Sequence, residues 1–317
     1  MSVAADIDGD YDALRHGVGV LRLERDVVAV RGPDALDYLQ GQCSQDVAAL
    51  ADGECADALL LGPQGKIDAL VRVTRLAPEE FLVDVEGGFA ATVMARLARF
   101  KLRVKAEIDR LDWHCVALRG PGAAPSDLSG AALGLPFHWG GVSGVDLLGE
   151  DPQPPPGARA CSPLAWEAVR VEAGIPRMGA EIDERTIPAE AALLERCVSF
   201  DKGCYTGQEL VARLDARGNR VARLLRGLVL DAPESVGAPA LRGAEVVVGD
   251  KSVGTVTSAA WSPGLGALVG LAYLHRSVEP PAPVELRIGT EAVETGRDDG
   301  RAPLVMAAEA RVLPLVP

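Results

Sequence analysis

A single cysteine stands between two glycines in the segment 202–209, which reads KGCYTGQE. Glycine backbones can bend sharply or approach a ligand closely. Thr206 and Glu209 have the spacing of a capping box, so we expect a helix to begin near Thr206. Cys204 then lies just ahead of a helix amino terminus and two residues from Lys202, and both features lower the pKa of a thiol. The pattern predicts a reactive thiol at Cys204, although a cysteine in such a loop can also serve only as packing.

Five arginines and one aspartate follow between residues 211 and 226, which gives this stretch a local charge of five minus one, or +4. Such a stretch suits an anion, for example a polyglutamate tail or a phosphate backbone. The alternative is a solvated helix face followed by a strand. The arginines are Arg213, Arg217, Arg220, Arg223 and Arg226.

The composition of the 317 residues excludes several classes of protein. With 32 basic and 45 acidic residues the net charge is −13, which argues against strong nucleic-acid binding. The first ten residues lack the apolar run of a signal peptide, and no stretch is apolar enough to span a membrane, so we expect a cytoplasmic protein. Six cysteines without CxxC spacing and four scattered histidines predict neither a disulfide scaffold nor a metal site.

The apolar pattern predicts an α+β fold whose strands and helices do not alternate regularly. In the first part we expect strands within 18–30 on either side of the turn 24–26, at 56–61, 66–73 and 81–85, and helices after Asp34, at 89–100 and at 163–173. A proline-rich connector occupies 151–157. The last third predicts a small antiparallel barrel from strands at 224–230, 244–248, 252–257, 267–273 and 284–288. We therefore expect one region at 1–220, made of two interleaved subdomains, and a barrel domain at 221–317.

The segment 202–209, continued by Ala212-Arg213, resembles the signature of the YgfZ family. That family is related to the T-protein of glycine cleavage, the folate-dependent aminomethyltransferase. Similar blocks occur along nearly the whole chain. They are Gly32–Asp34, Leu39–Gln42, Asp46-Val47, Gly65–Asp68, Arg170–Pro176, Ile187–Glu190 and Val253–Ser258.

The resemblance implies a three-part, ring-like fold with a central cavity that holds tetrahydrofolate or a one-carbon derivative of it. It implies that Glu172 binds the pterin, because a carboxylate can accept two parallel hydrogen bonds from an aminopyrimidinone edge. The alternative for Glu172 is an exposed helix carboxylate. Further cofactor contacts are expected at Arg170, Tyr205, Gln208, Arg213 and Arg223. Catalytic roles are expected at Cys204, Lys202 and Asp68.

One departure from the related aminomethyltransferases concerns their two adjacent aspartates, one of which is catalytic. Here Asp68 is followed by Ala69, so the pair is broken. We therefore expect no glycine-cleavage activity, because the acid–base machinery is incomplete.

Three functions remain open at the level of sequence. The first is a folate-binding accessory factor for assembly or repair of iron–sulfur proteins, linked indirectly to tRNA modification. In it Cys204 acts as a redox thiol or a transient cluster ligand, with client or carrier proteins as partners. The second is a folate-dependent one-carbon transferase or demethylase acting on a small amine. The third is an RNA-binding module that uses the arginines after residue 211.

Overall fold

The computed structural model describes residues 6–124, 130–231, 237–288 and 304–316, which fold into two five-stranded sheets, a closed six-stranded barrel and six α-helices. The predicted α+β class is confirmed. None of the helices in these ranges is long and apolar enough to cross a membrane. The helices are α1 (Ile7–His16), α2 (Ala35–Gln42), α3 (Ala90–Arg99), α4 (Pro163–Ala173), α5 (Leu194–Cys197) and α6 (Gln208–Asp215).

Sixteen strands build the sheets and the barrel in the described part of the chain. Ten of them precede α4. They are β1 (Gly19–Leu23), β2 (Arg25–Arg31), β3 (Cys55–Leu61), β4 (Ile67–Ala77), β5 (Glu80–Glu86), β6 (Glu107–Leu111), β7 (His114–Arg119), β8 (Leu133–Trp139), β9 (Val142–Gly149) and β10 (Arg159–Ala160). The barrel strands are β11 (Arg223–Leu230), β12 (Glu245–Val248), β13 (Lys251–Ser262), β14 (Ala267–His275), β15 (Ala282–Ile288) and β16 (Leu304–Arg311).

The chain passes from one sheet to the other between β1 and β2. β1 belongs to the sheet ordered β10-β1-β7-β9-β8, and β2 belongs to the sheet ordered β3-β4-β5-β2-β6. The two strands predicted on either side of the turn 24–26 are confirmed, but they do not form a hairpin. Only Glu24 separates them, and Val27–Val30 are fully buried, since β2 lies between β5 and β6 inside the second sheet. This crossing brings side chains of both sheets to one place.

The predicted carboxy-terminal barrel is confirmed, with strand order β11-β14-β13-β12-β15-β16. Its core includes the fully buried Leu228, Val246 and Leu286. Five of the six strands are predicted from the sequence, and β16 is not. The sequence of β16 is LVMAAEAR, and its alanines and glutamate favour a helix over a strand. Pairing with β11 on one side and β15 on the other overrides that preference and closes the barrel.

Helix α4 connects the sheets to the barrel and has the bounds that the sequence predicts. The Ser162 hydroxyl accepts a hydrogen bond from Leu164 N, Pro163 occupies the first turn, and Gly174 ends the helix with φ 68°. The helix packs against α1 and against the barrel strands β13 and β14. Side chains of α4 therefore reach both the barrel and the space between the sheets.

Candidate functional site

A cavity of about 270 Å³ lies between the two sheets and α4. Strands of both sheets, α4 and the segment after α4 contribute to its walls. Arginines, aromatic rings and carboxylates share the lining, among them Arg25, Arg72, Arg119, Phe137, Trp166 and Asp146. This combination suits a flat polar ligand that stacks on rings and accepts hydrogen bonds.

Five charged side chains, all of them buried except the half-buried Arg25, form a continuous network at the wall of this cavity. Arg72 Nε donates to Asp84 Oδ1 at 2.9 Å, and its Nη1 donates to Asp146 Oδ2 at 2.8 Å. Arg25 Nε donates to Asp84 at 2.6 Å, and Arg119 Nη2 lies 2.7 Å from Asp146 Oδ1. Burial alone would raise the pKa of Asp146, but Arg119, Arg72 and Arg25 hold that pKa well below its ordinary value. The network contains three guanidinium groups and two carboxylates.

Two aromatic rings hold Arg119 at the end of the network. Arg119 Cζ lies 3.7 Å from the ring centroid of Phe137 and 5.3 Å from that of Trp166. The two rings meet edge to face, with 6.3 Å between their centroids. Arg119 Nη1 donates to the carbonyl of Leu118 at 3.1 Å, whereas its Nε has no hydrogen-bond partner among the described residues. The cavity wall thus carries a cation that is fixed in place, and its unpartnered Nε has almost no accessible surface.

Arg170 also lines the cavity, but its N–H groups are engaged within the chain. Its Nε and Nη2 donate to Glu167 at 2.9 and 2.6 Å. Its Nη1 donates to the Ile175 carbonyl at 2.6 Å and to Glu181 at 3.2 Å, and Nη2 also donates to Ser258 Oγ at 2.7 Å. Because a guanidinium has five N–H donors, only its flat face remains for the predicted ligand contact.

Glu172 is fully buried and does not line this central cavity. Tyr11 Oη donates to Glu172 Oε2 at 2.8 Å. Burial raises the pKa of Glu172, against the opposing effect of hydrogen bonds from Ser262 and Tyr11. The alternative of an exposed helix carboxylate is wrong. The structure does not bring this carboxylate to the central cavity, and the pterin contact stays a prediction.

Strand β4 follows the turn at residues 62–65. It contributes Leu70 to the central cavity and Asp68 to a second cavity of about 470 Å³. Asp68 Oδ2 accepts a hydrogen bond from Arg96 Nε at 3.0 Å. Met178 lines both cavities, and its Sδ accepts the N–H of Leu70 at 3.5 Å. Asp68 and the central cavity are therefore separate in the structure.

Lys202 fixes the cysteine segment to the end of α2. Its Nζ donates to the carbonyl oxygens of Gln40, Cys43 and Gln45 at 2.7, 2.8 and 2.8 Å. Burial lowers the pKa of Lys202. Since an ammonium has three N–H donors, all of them go to main-chain carbonyls and none remains for the exposed Cys204.

The helix after the cysteine begins later than predicted. Its cap residue is Gly207, with φ 86°, and the first helical residue is Gln208. The Thr206 hydroxyl lies 3.5 Å from Gln42 Oε1, so it does not cap the helix. Gln208 Oε1 instead accepts the N–H of Tyr205 at 3.1 Å, and burial raises the pKa of the Tyr205 hydroxyl to about 12. The capping box predicted from Thr206 is thus wrong.

The turn at residues 62–65 packs closely against the end of the cysteine segment at Gly207. A Cβ atom on Gly207 would lie 2.5 Å from the carbonyl oxygen of Gly62, and one on Gly65 would lie 2.6 Å from the Cβ of Leu210. Both residues have positive φ, which favours glycine. A Cβ on Gly203 would meet nothing within 4 Å, so the close approach expected of both glycines applies to Gly207 alone.

A chain of hydrogen bonds joins the cysteine segment to the second cavity. Thr206 contacts Gln42, Arg96 Nη1 donates to Gln42 Oε1 at 2.8 Å, and Arg96 Nε donates to Asp68. The cysteine itself lines neither cavity. Asp68 is therefore linked to the cysteine segment through Arg96, Gln42 and Thr206, but neither Cys204 nor Lys202 takes part in these bonds.

Of the five arginines after residue 211, three are exposed and two, Arg223 and Arg226, are half-buried. Arg213, Arg217 and Arg220 are exposed. Arg223 Nε donates to Glu190 Oε2 at 3.0 Å, and its Cζ lies 4.5 Å from the ring centroid of Tyr273. Arg213 and Arg223 line neither cavity, so their predicted cofactor contacts stay predictions.

Comparison with known proteins agrees with this architecture. Residues 2–126 match the GCVT N-terminal domain, and residues 223–298 match the glycine cleavage T-protein C-terminal barrel domain. The crystal structure of the glycine cleavage system aminomethyltransferase T from Bartonella henselae superposes with a TM-score of 0.77. It is 21% identical and covers 98% of this chain and 89% of its own. The two sheets with their carboxy-terminal barrel define an aminomethyltransferase-like protein.

One relative shows the family, and two others are similar over about two thirds of this chain. An aminomethyltransferase of Rubrobacter xylanophilus is 31% identical over 310 residues, which cover 87% of this chain and 81% of that protein. The chain belongs to the aminomethyltransferase (glycine cleavage T-protein) family. An uncharacterized protein of Haemophilus influenzae is 28% identical over 61% of this chain and 66% of its own length. The mitochondrial iron–sulfur cluster assembly factor IBA57 homolog of Neurospora crassa is 29% identical over 67% of this chain and 53% of its own.

Proposed function

We propose that this protein is a folate-binding accessory factor of the YgfZ kind that serves the assembly or repair of iron–sulfur proteins through Cys204. Its link to tRNA modification is indirect, through modifying enzymes that need a cluster. The similarity to the Neurospora assembly factor supports the iron–sulfur part. The single observation that carries the proposal is an exposed thiol on a segment that Lys202 holds in place.

Cys204 differs from the other five cysteines, all of which lie in described parts of the chain. Three of those five, Cys43, Cys115 and Cys197, are buried. The other two, Cys55 and Cys161, are half-buried. Burial raises the pKa of Cys43 to about 11 and that of Cys115 to about 12, which keeps both protonated. Redox exchange and iron ligation both need an accessible thiolate, so this chemistry falls to Cys204.

A cluster handled by Cys204 is cargo and takes its other ligands from a partner. Within the described ranges no three His, Cys, Asp or Glu side chains lie together in a way that could hold a metal ion. A structural cluster site needs about four such ligands. The partner is therefore an iron–sulfur client or carrier protein with thiolates of its own.

A reduced folate fits the central cavity. Phe137 and Trp166 line it with aromatic rings that a flat pterin can contact. The volume of about 270 Å³ suits the ring system, with the glutamate tail directed outward. A bound tetrahydrofolate supplies a carrier for one-carbon units.

Glycine cleavage is not expected of this site. Ala69 interrupts the carboxylate pair of the related aminomethyltransferases, Leu70 lines the central cavity, and Asp68 pairs with Arg96 in the second cavity. A transferase acting on a small amine needs a proton acceptor beside the folate, and Asp68, the residue expected for this role, lies in the second cavity instead. The accessory role therefore ranks above the transferase role.

The test is rescue of a bacterial strain that lacks its YgfZ-type protein, measured as the activity of an iron–sulfur enzyme. Wild type should restore that activity, and Cys204→Ser should abolish or sharply reduce the rescue. Cys161→Ser is the control, because Cys161 is half-buried and its replacement leaves Cys204 intact. Full rescue by Cys204→Ser would contradict the role of the thiol.

Titration calorimetry with tetrahydrofolate tests the other half of the proposal. Wild type and Cys204→Ser should bind it equally, because Cys204 lines neither cavity. Absence of heat with every reduced folate would remove the folate part and leave the thiol part standing.

A further inference from the structure

Trp139 is a third aromatic residue of the central cavity, and a cation covers one face of its ring. Arg196 Cζ lies 4.1 Å from the centroid of the Trp139 ring, whereas Arg196 itself does not line the cavity. A planar guanidinium stacks well on an indole and so favours one orientation of the ring. A ligand in the cavity therefore reaches Trp139 by its other face or by its edge.

A carboxylate of the other sheet fixes Arg196 in this place. Arg196 Nε donates to Asp57 Oδ2 at 2.6 Å. Asp57 lies on β3 of the second sheet, Trp139 lies on β8 of the first, and both line the cavity. The side chain of Arg196 thus joins the two sheets beside the cavity. This ion pair is half-buried, so water screens it only in part.

The main chain around Arg196 is tied to the residues that hold the cysteine segment. Gln45 Nε2 donates to the Arg196 carbonyl at 3.1 Å, and the Gln45 carbonyl accepts Lys202 Nζ at 2.8 Å. Ser199 N donates to the Ser44 carbonyl at 3.0 Å. Helix α5 has four residues, too few to be stable without tertiary contacts. The position of α5 is therefore set on one side by the cavity wall and on the other by the cysteine segment.

We infer that Trp139 is the ring on which a flat ligand of the central cavity stacks, and that Arg196 is the positioning residue that holds this ring. The inference rests on the proposed function, which puts a reduced folate in this cavity, and it adds a residue outside the cavity on which binding depends. Because α5 leads into the cysteine segment, a ligand that stabilises Trp139 and Arg196 also stabilises that segment. Occupancy of the cavity and order around Cys204 are thereby linked.

Titration calorimetry with tetrahydrofolate tests the role of Arg196. Arg196→Met should lower the affinity about three- to tenfold, the effect expected when a half-buried cation–π contact is lost. In a Trp139→Leu background the same substitution should change the affinity less than about twofold, because Arg196 acts through the ring. Arg31→Met is the matched control and should keep the wild-type affinity. Arg31 Nε donates to Glu80 at 2.7 Å in a half-buried pair of the second sheet that lines neither cavity.

Hydrogen exchange measured by mass spectrometry tests the link to the cysteine segment. Saturating tetrahydrofolate should slow amide exchange in peptides that cover residues 194–204 of wild type and of Arg31→Met. In Arg196→Met the slowing should be lost at a ligand concentration that saturates this variant as well.

The outcomes separate the inference from the proposed function. Wild-type affinity in Arg196→Met, or an equal loss with and without Trp139, overturns the role of Arg196. Unchanged exchange at residues 194–204 on saturation of wild type overturns the link to the cysteine segment. Both results leave folate binding in place, whereas absence of binding by wild type overturns the folate site and the inference together.

A second variant covers the case in which Arg196→Met does not fold. Arg196→Lys keeps a cation beside Asp57 but lacks the flat group over the Trp139 ring. It should lower the affinity for tetrahydrofolate about threefold, and wild-type affinity in this variant would overturn the role of Arg196.

Discussion

The central cavity and the cysteine segment use buried cations in opposite ways. In the cavity wall, Arg72 and Arg119 are paired with Asp84 and Asp146, which come from different sheets. In the cysteine segment, Lys202 donates all three of its N–H groups to main-chain carbonyls, and the thiol of Cys204 is exposed. In the cavity wall the cations pair with buried carboxylates, whereas in the cysteine segment the cation holds the backbone around an exposed thiol.

This difference predicts which substitutions destabilise the fold and which affect chemistry alone. A change within the cavity network leaves a buried charge without its partner, so stability and binding fall together. A change at the exposed atom of the cysteine segment affects chemistry while the backbone stays fixed. Stability measurements on chosen variants can therefore confirm or contradict this difference between the cavity network and the cysteine segment.

The largest effect is expected from Asp146→Asn. The change keeps the size of the side chain but removes the charge that Arg72 and Arg119 share. Loss of one partner in a buried ion pair costs about 3–5 kcal/mol, and chemical denaturation should show a drop of that order. Asp250→Asn is the control, because Asp250 is fully exposed beside Arg287 and should change stability little. A loss no larger than that of the control would show that the network is not strongly coupled.

The pH dependence of the same variant has a definite sign. The native pKa of Asp146 lies below its ordinary value of about 4. Its stabilising contribution is therefore complete above about pH 4 and is lost as the pH falls toward the native pKa. Wild type and Asp146→Asn should accordingly differ most in stability near neutral pH and converge in acid. A difference that grew on acidification would contradict this assignment.

The sequence is informative about elements and poor on the site. Helix α4 has a serine cap, a proline in the first turn and a glycine stop, so local chemistry sets both of its ends. Ten of the sixteen described strands are predicted from apolar and β-branched runs, and all of these except β1 lie in the second sheet or the barrel; β6–β10 and β16 are not predicted. By contrast, Arg25, Arg72 and Arg119 lie on three strands of two sheets, and no contiguous motif joins them. Their meeting depends on the crossing at Glu24, which periodicity alone cannot reveal.

The capping box predicted at Thr206 is wrong for a similar reason, because contacts distant in sequence decide where the helix begins. Its spacing to Glu209 fits a capping box, but tertiary packing against the turn 62–65 forces Gly207 into a left-handed conformation. The helix therefore begins at Gln208, and the Thr206 hydroxyl turns toward Gln42. Contacts with a segment about 140 residues away decide the geometry of this motif.

An intermediate effect is expected from Gly207→Ala. The new Cβ would meet the carbonyl oxygen of Gly62 at 2.5 Å in a backbone with φ 86°. Strain and overlap together should lower the free energy of unfolding by about 2 kcal/mol or more. Gly203→Ala is the matched control in the same motif, because its Cβ would enter open space, and it should change stability little. Equal losses in thermal denaturation for the two variants would contradict the packing of the two turns.

The smallest effect on stability is expected from Cys204→Ser. The side chain is exposed, its size is nearly kept, and Lys202 continues to hold the segment, so the loss should stay below about 0.5 kcal/mol. Lys202→Met provides the contrast, because it leaves three carbonyl oxygens without their donor and should cost about 1–3 kcal/mol. Thermal denaturation of both variants gives this ranking directly.

Alkylation completes the comparison within one molecule. Iodoacetamide should modify Cys204 before the other five cysteines, since those are buried or half-buried and burial raises the pKa of Cys43 to about 11. Mass spectrometry of peptides after a short reaction should therefore find label at Cys204 first, and Cys204→Ser should stay unlabelled over the same time.

The unfolding of the two variants decides between a reactive thiol and a packing residue. If Cys204→Ser unfolds as readily as Lys202→Met, the cysteine is a packing residue, and the division between a backbone held by Lys202 and a free thiol is wrong.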